Sequence, residues 1–367
     1  MNILRTAACL LALVAVSPGA EVWSGVDRIV AIGDVHGDYQ QFIQLLEDAD
    51  LVNDQLQWIG GQTHLVQTGD VPDRGPDTRK ILDLLMDLEK QAKKAGGYVH
   101  ALIGNHEAMN IYGDLRYVIP EEFASFATPK SPQLLQREFR NHVATLDPQP
   151  ADIEVYRAQW DQQHPPGYME HRAQFSPTGK YGRWIAKHNI VIKINDSVFL
   201  HGGIGPKYAT FAIKDLNRLA LAELRDRSKI EGGIVIDPEG PLWYRGLALH
   251  PESSEKAHLE TALANLDAKR FVIGHSVSAG TVFPRFGGRV LMIDVGMSKY
   301  YGSRRACLLI EKGVAFAIHR GKKIEIPTQG GLALLPYLEK AAMLDPEPSP
   351  LTTTINQLEA AKKRQPR

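Results

Sequence analysis

Disulfide chemistry is almost absent from this chain: among 367 residues only Cys9 and Cys307 are cysteine. Stability is therefore left to packing and bound ions rather than to cross-links. No sign of charge dominates, since 42 basic side chains balance 42 acidic ones. That balance removes the electrostatic case for nucleic acid as a partner and makes any anion recognition local. The N-terminal apolar run, Ala7 to Val16, has ten residues, too few for a bilayer span of about 20. Internal repeats and low-complexity blocks are lacking, which excludes solenoid and fibrous architectures. With 44% hydrophobic and 23% charged residues, the composition is that of an ordinary globular protein with a sizeable core.

Arg5, the short apolar run and the small residues Ser17 to Ala20 follow the order of a secretory leader. Residues 1–20 are accordingly read as a cleaved signal peptide, and the mature protein as secreted or periplasmic without stable membrane insertion. Removal of that segment would leave Cys307 as the only thiol.

Beyond it, Arg28–Ile32 reads as a strand, Tyr39–Asp48 as a helix, His64–Gln67 as a strand, a segment starting near Asp77 as an amphipathic helix, and Tyr98–Ile103 as a strand. This alternation predicts an α/β fold with parallel strands and short functional loops at their ends. From residue 113 to 183 the pattern changes to two helical stretches, Leu134–Leu146 and Ile153–Gln163, among Pro, Gln, His and aromatic residues. It is read as a helical cap insertion in a domain covering 21–325. Asn195 and Asp196 mark a hairpin turn, and further strand-like runs around 271–273, 290–293, 306–310 and 314–318 call for a second sheet packed on the first. Residues 326–367 read as a C-terminal tail, a docked short helix followed by frayed chain.

Five strand-like runs end in short polar motifs: GDVHG at Gly33, GDVPDRG at Gly69, GNHE at Gly104, HGG at His201 and GHS at Gly274. Open α/β sheets place their chemistry where carboxyl-side strand ends converge. The motifs deliver Asp34, His36, Asp70, Asn105, His201 and His275, a set of hard and borderline donors suited to two divalent ions. Asp34, His36 and Asp70 are assigned to one ion, and Asp70, Asn105, His201 and His275 to the other, with Asp70 bridging. Two such ions stabilise the attacking and leaving oxygens of phosphoryl transfer. His106 is then placed to protonate the leaving group, with Asp73 holding its other ring nitrogen. Arg74 and Arg245 offer planar forks to phosphate oxygens, and Glu107 is expected to orient Arg74. Taken singly, each Asp is more often a cap and each His a core residue; the ordered set is what carries the reading. Ser276 in GHSVS lacks the second Gly of a nucleophile elbow, so serine hydrolysis is rejected.

In this order the motifs resemble the PPP-type phosphoprotein phosphatases of the calcineurin-like metallophosphoesterase superfamily. MNIYGDLRYV from Met109, GPLWYRG and IDVGMS resemble the Shewanella-like protein phosphatase branch. The resemblance implies a two-sheet β-sandwich flanked by helices, two metal ions drawn from Mn, Fe or Zn, and direct attack by a metal-bridging hydroxide on a phosphoprotein or phosphopeptide. Phosphotyrosine is somewhat favoured over phosphoserine and phosphothreonine. It adds Arg116, in GDLRY, as a third phosphate contact, the other reading being a salt bridge that anchors the insert, and Asp294 as a supporting residue. Two departures are Pro72, where Val or Phe is usual, and GHSVS in place of GHTP. The competing functions are a nucleotidase or diadenosine-polyphosphate hydrolase on the same metal site and, in another class, a catalytically silent phosphoprotein-binding module.

Overall fold

The computed structural model describes residues 21–364; the segment read as a signal peptide lies outside them. In chain order the elements begin with β1 (Val22–Trp23), β2 (Arg28–Ile32), α1 (Tyr39–Asp48), β3 (His64–Gln67), α2 (Thr78–Lys94), β4 (Tyr98–Ala101) and α3 (Asn105–Tyr112). Five helices fill the next stretch: α4 (Pro120–Phe126), α5 (Ser131–Ala144), α6 (Ile153–Gln163), α7 (Tyr168–Phe175) and α8 (Lys180–Ile185). Then come β5 (Val191–Ile194), β6 (Ser197–Leu200), α9 (Ile213–Arg225), α10 (Gly246–Leu249), α11 (Glu252–Asn265), β7 (Arg270–Ile273), β8 (Phe283–Arg285) and β9 (Val290–Met292). The chain closes with β10 (Ala306–Glu311), β11 (Val314–His319), β12 (Lys322–Glu325), α12 (Leu335–Ala342) and α13 (Thr352–Arg364).

The strands form two six-stranded mixed sheets, ordered β1-β5-β6-β7-β9-β8 and β12-β11-β10-β2-β3-β4. β2, β3 and β4 run parallel, as the alternation of strand and helix requires, while β10 closes antiparallel on the far side of β2. Because both faces of the sheets are covered at their centres, the central strands β3 and β6 are buried throughout rather than alternating. Ile29, Ala31, Val66, Phe199, Val272, Leu291 and Leu308 share one buried cluster between the sheets. Val30, Ile32 and Leu65 face outward onto Phe42, Leu46, Ile81 and Leu85 of α1 and α2. Phe42, Leu45 and Leu46 of α1, and Ile81, Leu85 and Leu88 of α2, stand at three- and four-residue spacing, which is why one stripe of each helix is buried.

Three differences from the sequence reading stand out. Residues 113–183 hold five helices rather than two, because α4, α7 and α8 are each at most eight residues long and show too few turns for a periodic signal. α5 begins at Ser131, where Pro132 is accommodated in the first turn, rather than at Leu134. After β12 the chain does not fray beyond one helix: Tyr337, Leu338, Ala341 and Leu351 are buried against the inter-sheet core, and α13 follows. Among the described residues no helix is long and apolar enough to cross a membrane.

Candidate metal centre

The carboxyl ends of β2, β3, β4, β6 and β7 meet at one place. The turn after β3 is tightly specified. Gly69 takes φ 100°, and a Cβ there would stand 2.4 Å from the Gly104 nitrogen, so the GD and GN motifs need glycine because their backbones touch. Asp70 follows at φ 60°, Asp73 at 73°, Arg74 at 65°, His36 at 46° and His275 at 63°. Left-handed conformations in five non-glycine residues at one spot are sustained only where surrounding contacts dictate them, and they aim side chains inward. The Asp70 carbonyl accepts from the backbone N–H of Val35 and of His36, each at 3.0 Å, which fixes the first loop on the second.

Asp70 is the hub. Its Oδ2 lies 3.2 Å from His201 Nε2, 3.7 Å from His106 Nε2 and 3.9 Å from His36 Nε2. His201 Nε2 is also 2.9 Å from Asn105 Oδ1 and 3.1 Å from His275 Nδ1. His201 Nδ1 stands 3.0 Å from the Thr68 carbonyl, an acceptor for its N–H, which leaves Nε2 directed at those same acceptors. His36 is held likewise, with Nδ1 3.1 Å from the Pro72 carbonyl and Nε2 directed inward, 3.8 Å from Asp34 Oδ2. His275 Nε2 is buried without a partner among the described residues. Electron pairs converging on one point, with the outer nitrogens of His36 and His201 each tied to a carbonyl, are what a cation reconciles. Two groups of three donors each lie within 4.8 Å of one another, His36/Asp70/His106 and Asp70/His201/His275. Asp70 belongs to both, so the residues present fit a pair of ions with a shared carboxylate.

Protonation follows the same division. Burial lowers His36 and His275 well below the ordinary imidazole range, which leaves them neutral and able to ligate. Burial raises Asp34 well above the usual carboxylate range, with Asp294 and Asp70 adding repulsion. For Asp70 burial acts in the same direction, but His201 and His106 outweigh it and hold the carboxyl well down. His106 is raised: burial opposes its charge, and Asp70 and Asp73 more than offset that. Its Nδ1 contacts Asp73 Oδ2 directly, and Asn110 Nδ2 donates to Asp73 Oδ1 at 2.9 Å. A protonated imidazole beside the donor cluster has the character of a general acid.

Arg74 and Arg245 stand at the mouth. Arg74 Nη1 is 2.7 Å from His36 Nε2, and its guanidinium lies between the rings of Tyr117, Tyr301 and Tyr300, at 4.9, 5.2 and 5.6 Å. Arg245 Nη1 donates to the His275 carbonyl at 2.6 Å and to Ser276 Oγ at 3.0 Å. Asp294 is buried beside Asp34, accepts from the Gly296 N–H at 3.0 Å and is pushed up to about 6 by burial.

Two expectations need correction. Glu107 does not orient Arg74; its carboxylate accepts from the backbone N–H groups of Asp70, Val71 and Gly104, each at 2.8 Å. It serves the loops as a template rather than the arginine, because three converging buried amides out-compete a cation across the cluster. Arg116 is not brought to the donor cluster. Its Nε donates to Asp114 at 2.8 Å on an exposed side chain, and it reaches the site only through the Tyr117 ring, 6.0 Å away. Sequence reasoning missed Asn110, although its position one helical turn after His106 signals a shared face. It also missed Tyr117, Tyr300 and Tyr301, which two separate loops bring together with no periodic pattern.

The family comparison agrees with this geometry. The model of the calcineurin-like phosphoesterases matches residues 27–279. Shewanella-like protein phosphatase 2 of Arabidopsis thaliana is 31% identical over 288 residues, covering 74% of this chain and 72% of that protein. An uncharacterized protein of Schizosaccharomyces pombe is 34% identical over 316 residues, 81% of this chain and 82% of its own length. Among solved structures, the cold-active protein-tyrosine phosphatase of a psychrophilic Shewanella species superposes with a TM-score of 0.66 at 26% identity, over 86% of this chain and 84% of that one. Convergent strand ends, the shared Asp70 and these matches together place the chain in the calcineurin-like phosphoesterase family, as a metal-dependent phosphoric monoester hydrolase.

Proposed function

We propose that the protein is a phosphoprotein phosphatase that favours phosphotyrosine, with Asp34, His36 and Asp70 holding one ion and Asp70, Asn105, His201 and His275 the other. Manganese, iron and zinc all suit this mixture of carboxylate, amide and imidazole donors. A bound ion pair supplies Lewis acidity at the phosphoryl oxygens and acidifies a water near neutral pH. Arg74 and Arg245 orient the phosphate through charge-assisted hydrogen bonds. His106 delivers a proton to the leaving oxygen from Nε2, while Asp73, steadied by Asn110, keeps the proton on Nδ1 and the ring in place. The observation that carries the substrate preference is the ring of Tyr117, Tyr300 and Tyr301 around Arg74. Aromatic faces beside the phosphate-binding arginine suit a flat aryl leaving group better than a serine or threonine stem. The name of the Arabidopsis relative, a protein phosphatase, supports the phosphoprotein substrate, and that of the Shewanella enzyme, a protein-tyrosine phosphatase, supports the preference. We also propose export across a membrane, which rests on the leader-like order of residues 1–20 alone.

Phosphate release with added manganese separates the alternatives. A phosphotyrosine peptide should show the highest kcat/KM, ahead of phosphoserine and phosphothreonine peptides and of diadenosine tetraphosphate. Efficient hydrolysis of the dinucleotide alone would establish the nucleotidase reading. No release from any of them would contradict the phosphatase reading.

A further inference from the structure

Strand β4 leaves one side open. It is the last strand of its sheet, and on the other side it pairs with β3. Tyr98 N–H donates to the Thr63 carbonyl at 3.1 Å and Leu102 N–H to the Gln67 carbonyl at 2.8 Å. By two-residue alternation the main-chain N–H and C=O of Val99 and Ala101 point away from β3. The next residue in that series, Ile103, donates to the Asn189 carbonyl at 3.1 Å. The chain entering β5 thus touches this open side for one bond and then leaves it. Val99 and Ala101 are 3% and 4% exposed, and their outward main-chain groups have no partner among the described residues. Buried peptide groups of this kind are normally satisfied.

Between β4 and the Lys187–Ile192 segment lies a groove of about 400 Å³. Trp23 forms an apolar wall, its ring 4.4 Å from His100 and 5.6 Å from Tyr98. Lys90, Lys93 and Lys187 line the rim. The acid among the lining residues, Glu89, is engaged by Trp184 Nε1 at 2.9 Å and His188 Nε2 at 2.7 Å. Lys90 has only a surface contact with Asp87 at 3.9 Å.

We propose that this groove binds an extended acidic segment of another protein by strand addition. Val99 and Ala101 exchange main-chain hydrogen bonds with it, the three lysines receive its carboxylates, and its apolar side chains rest on Trp23. A small anion would satisfy the lysines but leave the alternating donors and acceptors of β4 unfilled. Residues 1–20 contain Arg5 and no Asp or Glu, so they do not match the charge. Four residues beyond Ala101 the same stretch of chain reaches Asn105, so a docked segment holds its protein beside the metal centre and raises the local concentration of its phosphorylated residues. Docking is independent of turnover and is tested without it.

The probe is a fluorescein-labelled dodecapeptide of alternating valine and glutamate, followed by anisotropy against the full chain. Saturable binding is expected. It should weaken at least tenfold in the Lys90→Glu/Lys93→Glu/Lys187→Glu variant, whose unchanged Tm shows that the fold is intact. N-methylation of every valine nitrogen or of every glutamate nitrogen blocks one edge of the peptide or the other. One of these peptides should lose at least tenfold and the other should bind like the parent. The proposal is overturned if both methylated peptides bind like the parent, which shows adsorption by charge alone, or if the charge-reversed protein binds like wild type. Failure of the full chain to bind the parent peptide overturns it as well, including the case in which residues 1–20 fill the groove.

Discussion

His201 and His275 approach to 3.1 Å at the carboxyl ends of β6 and β7; His64 and His100 approach to 3.0 Å within β3 and β4. Burial lowers His275 and His100 alike, each well below the ordinary imidazole range. What faces the rings differs. The first pair meets Asp70 and Asn105, whereas the second is bordered by Trp23 and Tyr98, and no donor group of three or more among the described residues includes His64 or His100. Proximity and a depressed pKa are therefore common to a metal centre and a packed core. The carboxylate shared at the convergence of strand ends is what separates them.

Removing that carboxylate breaks the contrast most severely. Asp70→Asn should abolish phosphatase activity, because both ions lose their common ligand, and phosphate release under saturating manganese is the readout. His106→Ala should lower kcat by about 10²–10⁴-fold, the usual contribution of a positioned acid, with metal content unchanged. Loss of metal from this variant would make His106 a ligand, as its place in the His36/Asp70 group permits.

The strand-end motifs were legible because each combines a short apolar run with a glycine whose backbone contact forces the local turn. Gly69 against Gly104 is such a case. The pairing of His106 with Asp73 was legible for the same reason. For Arg116 the salt-bridge alternative is the one that the structure shows, with Asp114 two residues away in the same loop, and the phosphate contact is not. Tyr117, Tyr300 and Tyr301 converge from loops about 180 residues apart, and only the folded sheets bring them to Arg74. Short helices such as α7 and α8 bury one or two aromatic residues each and carry no stripe to read.

Smaller effects sharpen the comparison. Tyr117→Ala should raise KM for an aryl phosphate about three- to tenfold, from about 0.5–1.5 kcal/mol of lost ring contact, and leave an alkyl phosphate nearly unchanged. Steady-state kinetics on the two substrates checks this. His64→Gln, which offers an amide to His100, should leave turnover within about twofold of wild type. It should instead act on stability. A histidine whose folded pKa is depressed takes up its proton more readily when unfolded, so its contribution is present above about pH 6.5 and is lost as pH falls toward the folded value. Tm followed from pH 7 to 5 should therefore drop in wild type and less steeply in the variant.

The central claim is a pair of ions held around Asp70. Elemental analysis of the full chain, loaded with manganese and then dialysed free of excess, tests it most directly. Two ions per chain in wild type and none in Asp70→Asn is the predicted result. A single ion in wild type, or two retained without the Asp70 carboxylate, would contradict it.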